Sequence, residues 1–169
     1  GLSRIDEVCA EYGIVQAMHP HVGTLVETKA DVDLALEETT VLWTLDTGHL
    51  AIGGVDPVAF ARDHGDRVGH AHLKDVNMSL AKAVLSGEIT LLKAVQDGIF
   101  VPFGTGDVNI ADAVVALEQA GYAGRYVLEQ DCAIMDAPPA EGEGPLEDVR
   151  TCLDYLAREV EPRLATASV

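Results

Sequence analysis

The chain has 169 residues, of which 48% are hydrophobic and 23% charged, a composition typical of one folded globular domain that excludes intrinsic disorder. Its 28 acidic and 11 basic residues give a formal net charge of -17, which opposes binding to nucleic-acid phosphates. The apolar runs are too short to span a bilayer, and three cysteines without a C-x-x-C pair are typical of a reducing compartment, so we expect a cytoplasmic protein that binds neither nucleic acid nor membrane.

Short apolar runs alternate with amphipathic helical patterns along the chain. In chain order, the patterns predict a helix at 3–12, a strand at 14–18, a helix at 31–38, a strand at 41–45, a helix at 57–64, a strand at 68–73, a helix at 109–120, a strand at 126–128 and a helix at 146–164. The repeated unit is therefore a strand followed by a helix.

Two of these helices have clear end signals. Asp56 is a predicted N-cap followed by a proline, and Gly65 is a predicted left-handed exit from the same helix. Asn109, three residues before Asp112, predicts a second capped start. Residues 76–108 interrupt the strand and helix alternation, and we predict an inserted lid-like loop region there, with a subdomain that only packs as the alternative.

Alternating strands and helices predict a parallel sheet with right-handed crossovers in an α/β fold, either doubly wound or a (β/α) barrel. A doubly wound nucleotide-binding domain would need a glycine-rich turn after its first strand, and none is present. Polar side chains instead follow each strand, as at the carboxyl-terminal face of a barrel. We therefore predict a barrel and treat residues 1–169 as a single domain.

Carboxylates and imidazoles at these strand ends predict a metal site. Glu27, Asp46 and Glu129 would gather uncompensated negative charge in a poorly solvated space, which a divalent cation would relieve. His70 and His72 face the same side of their strand, and His72 is closer to its carboxyl end. Three oxygen ligands and one imidazole favour one divalent ion, with manganese preferred, cobalt or magnesium as alternatives and zinc less favoured.

Four strings carry a family resemblance: HPHVGTLVET at 19–28, LDTGH at 45–49, HAHLKD at 70–75 and VLEQD at 127–131. They resemble the xylose isomerase-like TIM-barrel superfamily of sugar phosphate isomerases and epimerases, and within it the inosose dehydratase subgroup. Residues 82–107 also resemble the insertion that is typical of this subgroup. The resemblance implies that this chain supplies the C-terminal half of a (β/α)8 TIM barrel, strands five to eight with their helices. It also implies a single metal held by Glu27, Asp46, His72 and Glu129.

The resemblance implies a metal-dependent isomerase, epimerase or dehydratase that abstracts a proton next to the carbonyl of a sugar or inosose. Glu27 and Glu129 are the expected catalytic acid and base, and substrate contacts are expected from His21, His49 and Lys74. The choice between dehydration, isomerisation and epimerisation stays open. An N-terminal half-barrel, in the same or another chain, or a second copy of this chain is the expected partner, because half a barrel has open sheet edges.

Two other functions remain alternatives. An endonuclease-IV-like metallohydrolase shares the barrel, but the strongly acidic composition opposes DNA binding. A half-barrel fragment or subunit without catalytic activity would retain the motifs and still need a partner.

Overall fold

The computed structural model describes residues 1–135 and 137–167. Residues 136, 168 and 169 of the predicted single domain lie outside the described residues. The α-helices of this described part are α1 (Leu2–Glu11), α2 (Lys29–Glu38), α3 (Thr47–Ile52), α4 (Pro57–His64), α5 (Met78–Leu85), α6 (Leu91–Gln96), α7 (Ile110–Gln119), α8 (Pro145–Tyr155) and α9 (Glu161–Ala167). Its strands are β1 (Ala17–Met18), β2 (Leu42–Asp46), β3 (Val68–Leu73), β4 (Asp75–Val76), β5 (Phe100–Val101) and β6 (Tyr126–Leu128).

A parallel sheet in the order β1-β2-β3-β6 confirms the predicted α/β arrangement. Asp46 pairs with His72, and His72 pairs with Val127, so the carboxyl ends of three strands lie level with one another. The backbone N–H of Glu129 donates to the carbonyl of Leu73 at 3.1 Å and continues the ladder past the end of β6. Within the described residues β1 and β6 are the edges of this sheet.

One face of the sheet is covered by helices. Trp43 and Leu45 of β2 are buried against Phe60 of α4 and Leu117 of α7. Because side chains alternate along a strand, Thr44 and Asp46 project from the opposite face. The helices therefore fix the sheet from one side and leave the polar side chains on the other.

Gly65 corrects one prediction. Its φ is −62°, so it does not form a left-handed exit from α4. A Cβ at this position would lie 2.4 Å from the Cβ of Ala120, which follows α7. Glycine is needed here for the close approach of two helices rather than for a turn.

Two elements differ from the sequence prediction. The predicted strand at 14–18 pairs only over β1, and Ile14 and Val15 are exposed because β1 is an edge strand with one neighbour. Helix α3, which was not predicted, starts directly after β2 because the Asp46 side chain accepts a hydrogen bond from the backbone N–H of His49 at 2.8 Å and caps the first turn. The same carboxylate therefore ends a strand and starts a helix.

Residues 76–108 form a packed unit with a core of their own. Ala81 of α5, Ala94 of α6 and Ile99 are fully buried, and they join a cluster that includes Ile110 of α7 and Cys152 of α8. The short strands β4 and β5 pair antiparallel at its base. A lid function for this segment stays a prediction.

Asp75 anchors the inserted segment to the end of β3. Its side chain is buried and accepts hydrogen bonds from the backbone N–H groups of Val76, Gly104, Gly106 and Val108 at 2.8 to 3.1 Å. A carboxylate can accept all four bonds, since it has two oxygens with two acceptor positions each.

Replacing Asp75 with asparagine should lower the free energy of unfolding by about 3 kcal/mol, because an amide NH₂ cannot accept these bonds and leaves buried donors unpaired. Urea denaturation of both proteins measures the difference. Asp107→Asn is the matched control, since Asp107 accepts one backbone bond, from Met78 at 2.8 Å in an exposed setting. Equal losses in the two variants would contradict the anchoring role of Asp75.

In the part of the chain that the structure describes, no helix combines the length and the apolar character needed to cross a bilayer.

Candidate metal centre

Four side chains meet where the parallel strands end. His19 follows β1, Asp46 closes β2, His72 lies near the end of β3, and Glu129 follows β6. Among the described residues, two groups of side chains there could hold a metal ion, and both contain Asp46: His19, Asp46 and His49, and Asp46, His72 and Glu129. In each group the ligand atoms lie within 4.8 Å of one another. Asp46 is therefore the centre of the cluster.

The two oxygens of Asp46 have different environments. Oδ1 accepts the N–H that caps α3. Oδ2 faces the cluster, at 3.2 Å from Nε2 of His19, 3.6 Å from Nδ1 of His72 and 3.8 Å from Nζ of Lys74. Burial alone would raise the pKa of Asp46, but contacts with His19 and His72 and the nearby charge of Lys74 lower it well below its usual range. Asp46 is therefore ionised at neutral pH.

His72 and Glu129 form the second side of the cluster. His72 Nδ1 lies 3.3 Å from Glu129 Oε2, which also lies 2.7 Å from Nζ of Lys74. Nδ1 of His72 is a buried atom without a hydrogen-bond partner among the described residues, whereas Oε2 of Glu129 is paired with the Lys74 ammonium. The contact with Asp46 raises the pKa of His72 against the opposing effect of burial. Both atoms have the position of metal ligands, and the His72 nitrogen also has unmet bonding capacity.

Lys74 lies behind the carboxylates and is almost completely buried. Its Nζ lies 2.8 Å from Asp131 Oδ2, 3.3 Å from Nε2 of His49 and 4.7 Å from the centre of the Phe100 ring. Burial alone would lower the pKa of Lys74, but the surrounding carboxylates raise it. Burial lowers the pKa of His49 to about 3. At neutral pH the pair therefore consists of a charged lysine and a neutral imidazole.

The donor atoms are spaced as ligands of one ion would be. Bonds of about 2.1 Å, common for Zn²⁺ to nitrogen and for Mg²⁺ to oxygen, place neighbouring donors about 3.0 to 3.4 Å apart. The distance from His72 Nδ1 to Glu129 Oε2 is 3.3 Å, inside this range, and the distance to Asp46 Oδ2 is 3.6 Å, slightly longer. The residues present therefore fit a divalent metal, and both nitrogen and oxygen donors are available.

The structure brings Asp46, His72 and Glu129 together, but neither metal-binding group within the described residues includes Glu27. Glu27 is partly buried and immediately precedes Thr28, which caps α2. Its role as a ligand stays a prediction. Among the predicted substrate contacts, the rings of His21 and His49 are 3.6 Å apart, so His21 lies beside the His49–Lys74 pair.

His19 was missed as a functional residue by the sequence analysis, although it begins the first family-like string. Its ring centre lies 4.9 Å from that of His72 and 5.6 Å from that of His49. A usable signal was present, because His19 directly follows the strand, two residues after Ala17, and strand alternation places both on one face.

Comparisons with known proteins show the family of the chain. The model of the xylose isomerase-like TIM barrel family matches residues 1–156, which confirms the resemblance inferred from the four strings. Inosose dehydratase of Geobacillus thermodenitrificans strain NG80-2 is 37% identical over 139 residues, which cover 79% of this chain and 47% of that protein. The chain thus spans about half the length of this curated relative.

Two solved structures share the fold. L-ribulose 3-epimerase superposes with a TM-score of 0.68 at 17% identity, over 99% of this chain and 54% of that one. The IOLI protein, solved with a bound zinc atom, superposes with a TM-score of 0.61 at 15% identity, over 95% of this chain and 55% of that one. At these identities the two structures support the fold alone.

Proposed function

Because this chain belongs to the xylose isomerase-like TIM barrel family, we propose that it carries the metal site of a lyase or isomerase acting on a polyhydroxy ketone. The observation that carries the proposal is the convergence of Asp46, His72 and Glu129, with a buried ring nitrogen of His72 that lacks a hydrogen bond among the described residues. A purely structural cluster would be expected to satisfy such an atom. The proposed location remains cytoplasmic.

Asp46, His72 and Glu129 would hold the ion, with manganese favoured as predicted from the residue types. A bound divalent metal supplies positive charge that polarises a substrate carbonyl and stabilises the negative charge formed when the neighbouring C–H bond breaks. The substrate, a sugar or inosose, would lie on the face of the sheet from which Asp46 projects. His21, His49 and Lys74 are proposed to contact its hydroxyl groups.

Glu129 and Glu27 are proposed as the acid and base that move the substrate proton. Glu129 belongs to the group of Asp46 and His72, with Oε2 2.7 Å from the Lys74 ammonium. A carboxylate placed against the C–H next to a carbonyl can take that proton and return it to another carbon or face. Glu27 would serve the opposite side of the substrate.

Lys74, rather than His49, is the proposed proton donor to a departing hydroxyl. The low pKa of His49 leaves its ring neutral, whereas the carboxylates around Lys74 keep the ammonium charged. Loss of the β-hydroxyl after proton removal is a dehydration, and return of the proton without that loss is an isomerisation or epimerisation. The relative named inosose dehydratase favours dehydration of an inosose as the first reaction to test.

The test uses the full chain loaded with manganese and an inosose in deuterated water, followed by proton NMR. Dehydration predicts loss of the β-hydroxyl and a new enone signal, whereas isomerisation or epimerisation predicts deuterium at the α-carbon with the hydroxyl retained. Absence of both changes in protein that holds one manganese per chain would contradict the proposed function on this substrate class.

The barrel itself is part of the proposal. Since the chain aligns with about half of a full-length epimerase, we propose that it forms strands five to eight, with strands one to four from the same protein, another chain or a second copy. The open edges at β1 and β6 of the described sheet support this. A cooperatively unfolding monomer of 17.9 kDa in size-exclusion chromatography with mass detection would contradict it.

Replacing Lys74 with methionine should tighten manganese binding and slow turnover. The ammonium lies 2.7 Å from Glu129 Oε2 and 3.8 Å from Asp46 Oδ2, so its removal ends the repulsion of the incoming ion. We expect at least about a tenfold lower Kd by calorimetry, which is about 1.4 kcal/mol, and a kcat reduced about 100-fold or more.

Methionine suits this test because it fills a similar volume against Phe100 and carries no charge. Lys82→Met on α5 is the matched control, since Lys82 is exposed. Weaker manganese binding in Lys74→Met than in the control would show that Lys74 organises the ligands rather than opposing the ion.

A further inference from the structure

We propose that His19 is the fourth protein ligand of the metal, so that the ion is held by two imidazoles and two carboxylates. This inference rests on the proposed function, because it assumes that a metal occupies the cluster around Asp46. It differs from the prediction for Glu27, which would then be free to transfer protons without coordinating the ion.

The position of His19 in the sheet supports this assignment. It follows β1 at the same edge where β2 and β3 end, and the parallel register joins Met18 to Trp43. His19 therefore enters the cluster from the strand next to Asp46, while His72 enters from the strand on the other side. Three neighbouring strands thus each contribute one potential ligand atom, with Asp46 Oδ2 between the two imidazoles.

The distance from His19 to Asp46 fits one coordination shell, whereas His19 and the pair of His72 and Glu129 fall into two separate groups that share Asp46. His19 Nε2 lies 3.2 Å from Asp46 Oδ2, within the donor spacing expected around an ion with bonds of about 2.1 Å. This contact is a hydrogen bond, in which one proton lies between the imidazole nitrogen and the carboxylate oxygen. A metal displaces such protons when it binds, since its ligands must be deprotonated.

His49 is excluded as the alternative imidazole, although it belongs to the same group as His19. Its Nδ1 accepts the backbone N–H of Val22 at 3.5 Å, and its Nε2 faces the Lys74 ammonium at 3.3 Å. Both ring nitrogens of His49 therefore already face hydrogen-bond donors, a backbone N–H and an ammonium group. His19 presents a nitrogen directly to the ligand oxygen of Asp46.

Backbone contacts hold Glu27 at a different place. A Cβ on Gly53 would lie 2.0 Å from the carbonyl oxygen of Glu27, and the N–H of Lys29 donates to the Gly53 carbonyl at 2.8 Å. These contacts fix residues 27–29 against the end of α3, not against β1. The resulting set of two nitrogens and two oxygens is less suited to magnesium and better suited to manganese, cobalt or zinc.

The experiment counts metal-bound nitrogens. The full chain is loaded with Mn²⁺, and pulsed EPR measures the number of directly coordinated ¹⁴N nuclei in the wild type and in His19→Gln, His72→Gln and Glu27→Gln. We expect two nitrogens in the wild type and Glu27→Gln, and one in each histidine variant. Calorimetry should show a Kd raised about 10- to 100-fold in His19→Gln and little changed in Glu27→Gln.

His64→Gln is the matched control, because His64 is a partly buried histidine on α4 that packs on Phe60. This variant should keep both metal-bound nitrogens. One nitrogen in the wild type, or a second nitrogen that persists in His19→Gln, would overturn the inference and leave the proposed function standing. Failure of the wild type to bind stoichiometric Mn²⁺ would overturn both. If His19→Gln does not fold, the wild-type nitrogen count alone decides.

Discussion

Asp46→Asn is expected to remove measurable metal binding at micromolar protein and to abolish turnover while the chain stays folded. Asp46 Oδ2 is the atom that both imidazoles and the lysine ammonium face, and it carries the charge that a cation requires. Substitutions of groups that only support a ligand already cost about 10- to 100-fold in affinity, so a central anionic ligand should cost at least the upper value. Calorimetry with Mn²⁺ and elemental analysis measure the loss.

Asparagine separates the metal role of Asp46 from its structural role. Oδ1 caps α3 through the N–H of His49, and asparagine is as good an N-cap as aspartate, so the helix should be retained. Asp56→Asn makes the same change at the N-cap of α4, where the side chain accepts from Val58 at 2.9 Å outside the cluster. Unchanged Mn²⁺ affinity in Asp46→Asn, with both variants folded, would refute a metal centre at Asp46.

The sequence was sufficient to predict which polar side chains lie at the carboxyl ends of the strands, because these residues directly follow apolar runs. Asp46, His72 and Glu129 each come at the end of a strand, and parallel strands place their carboxyl ends at one edge. The position along β3 favoured His72 over His70, and His72 belongs to a group that could hold a metal, whereas His70 joins neither of the groups found in the described residues. The role of His72 as a ligand stays a prediction.

The contacts between strands could not be predicted in the same way. The placement of His19 depends on where β1 ends, and this edge strand pairs over two residues instead of the five expected. The burial of Lys74 depends on Phe100, which a segment of more than 20 residues separates from it in the chain. Sequence periodicity describes faces of single elements, whereas these contacts depend on how distant elements pack.

Helix α3 shows a related limit. Its six residues are too few for a periodic pattern, and their sequence, Thr47 to Ile52, includes a glycine that disfavours helix. Packing explains that glycine, because a Cβ on Gly48 would lie 2.8 Å from Cγ of Lys74. Gly48 thus leaves space for the buried lysine side chain.

Glu129→Gln is the second substitution for which a very large effect is expected, and it should separate proton transfer from metal binding. Glutamine keeps an oxygen that can coordinate the ion but cannot accept a proton, so part of the metal affinity should remain. Loss of a positioned acid or base costs about 10²- to 10⁴-fold in rate. Exchange of the substrate α-proton with solvent deuterium should therefore fall by that factor, as measured by NMR in samples saturated with Mn²⁺.

Saturation with metal is essential to this comparison, because a low exchange rate in metal-free protein would report only the lost ion. Glu118→Gln is the matched control, since Glu118 on α7 accepts a hydrogen bond from the Tyr126 hydroxyl at 2.9 Å and takes no part in the cluster. Exchange of the substrate α-proton at the wild-type rate in metal-loaded Glu129→Gln would remove Glu129 from the mechanism. Glu27 would then be the remaining proposed base. If Glu129→Gln and Glu27→Gln each abolish exchange while Mn²⁺ stays bound, the two carboxylates act as a pair on the substrate proton.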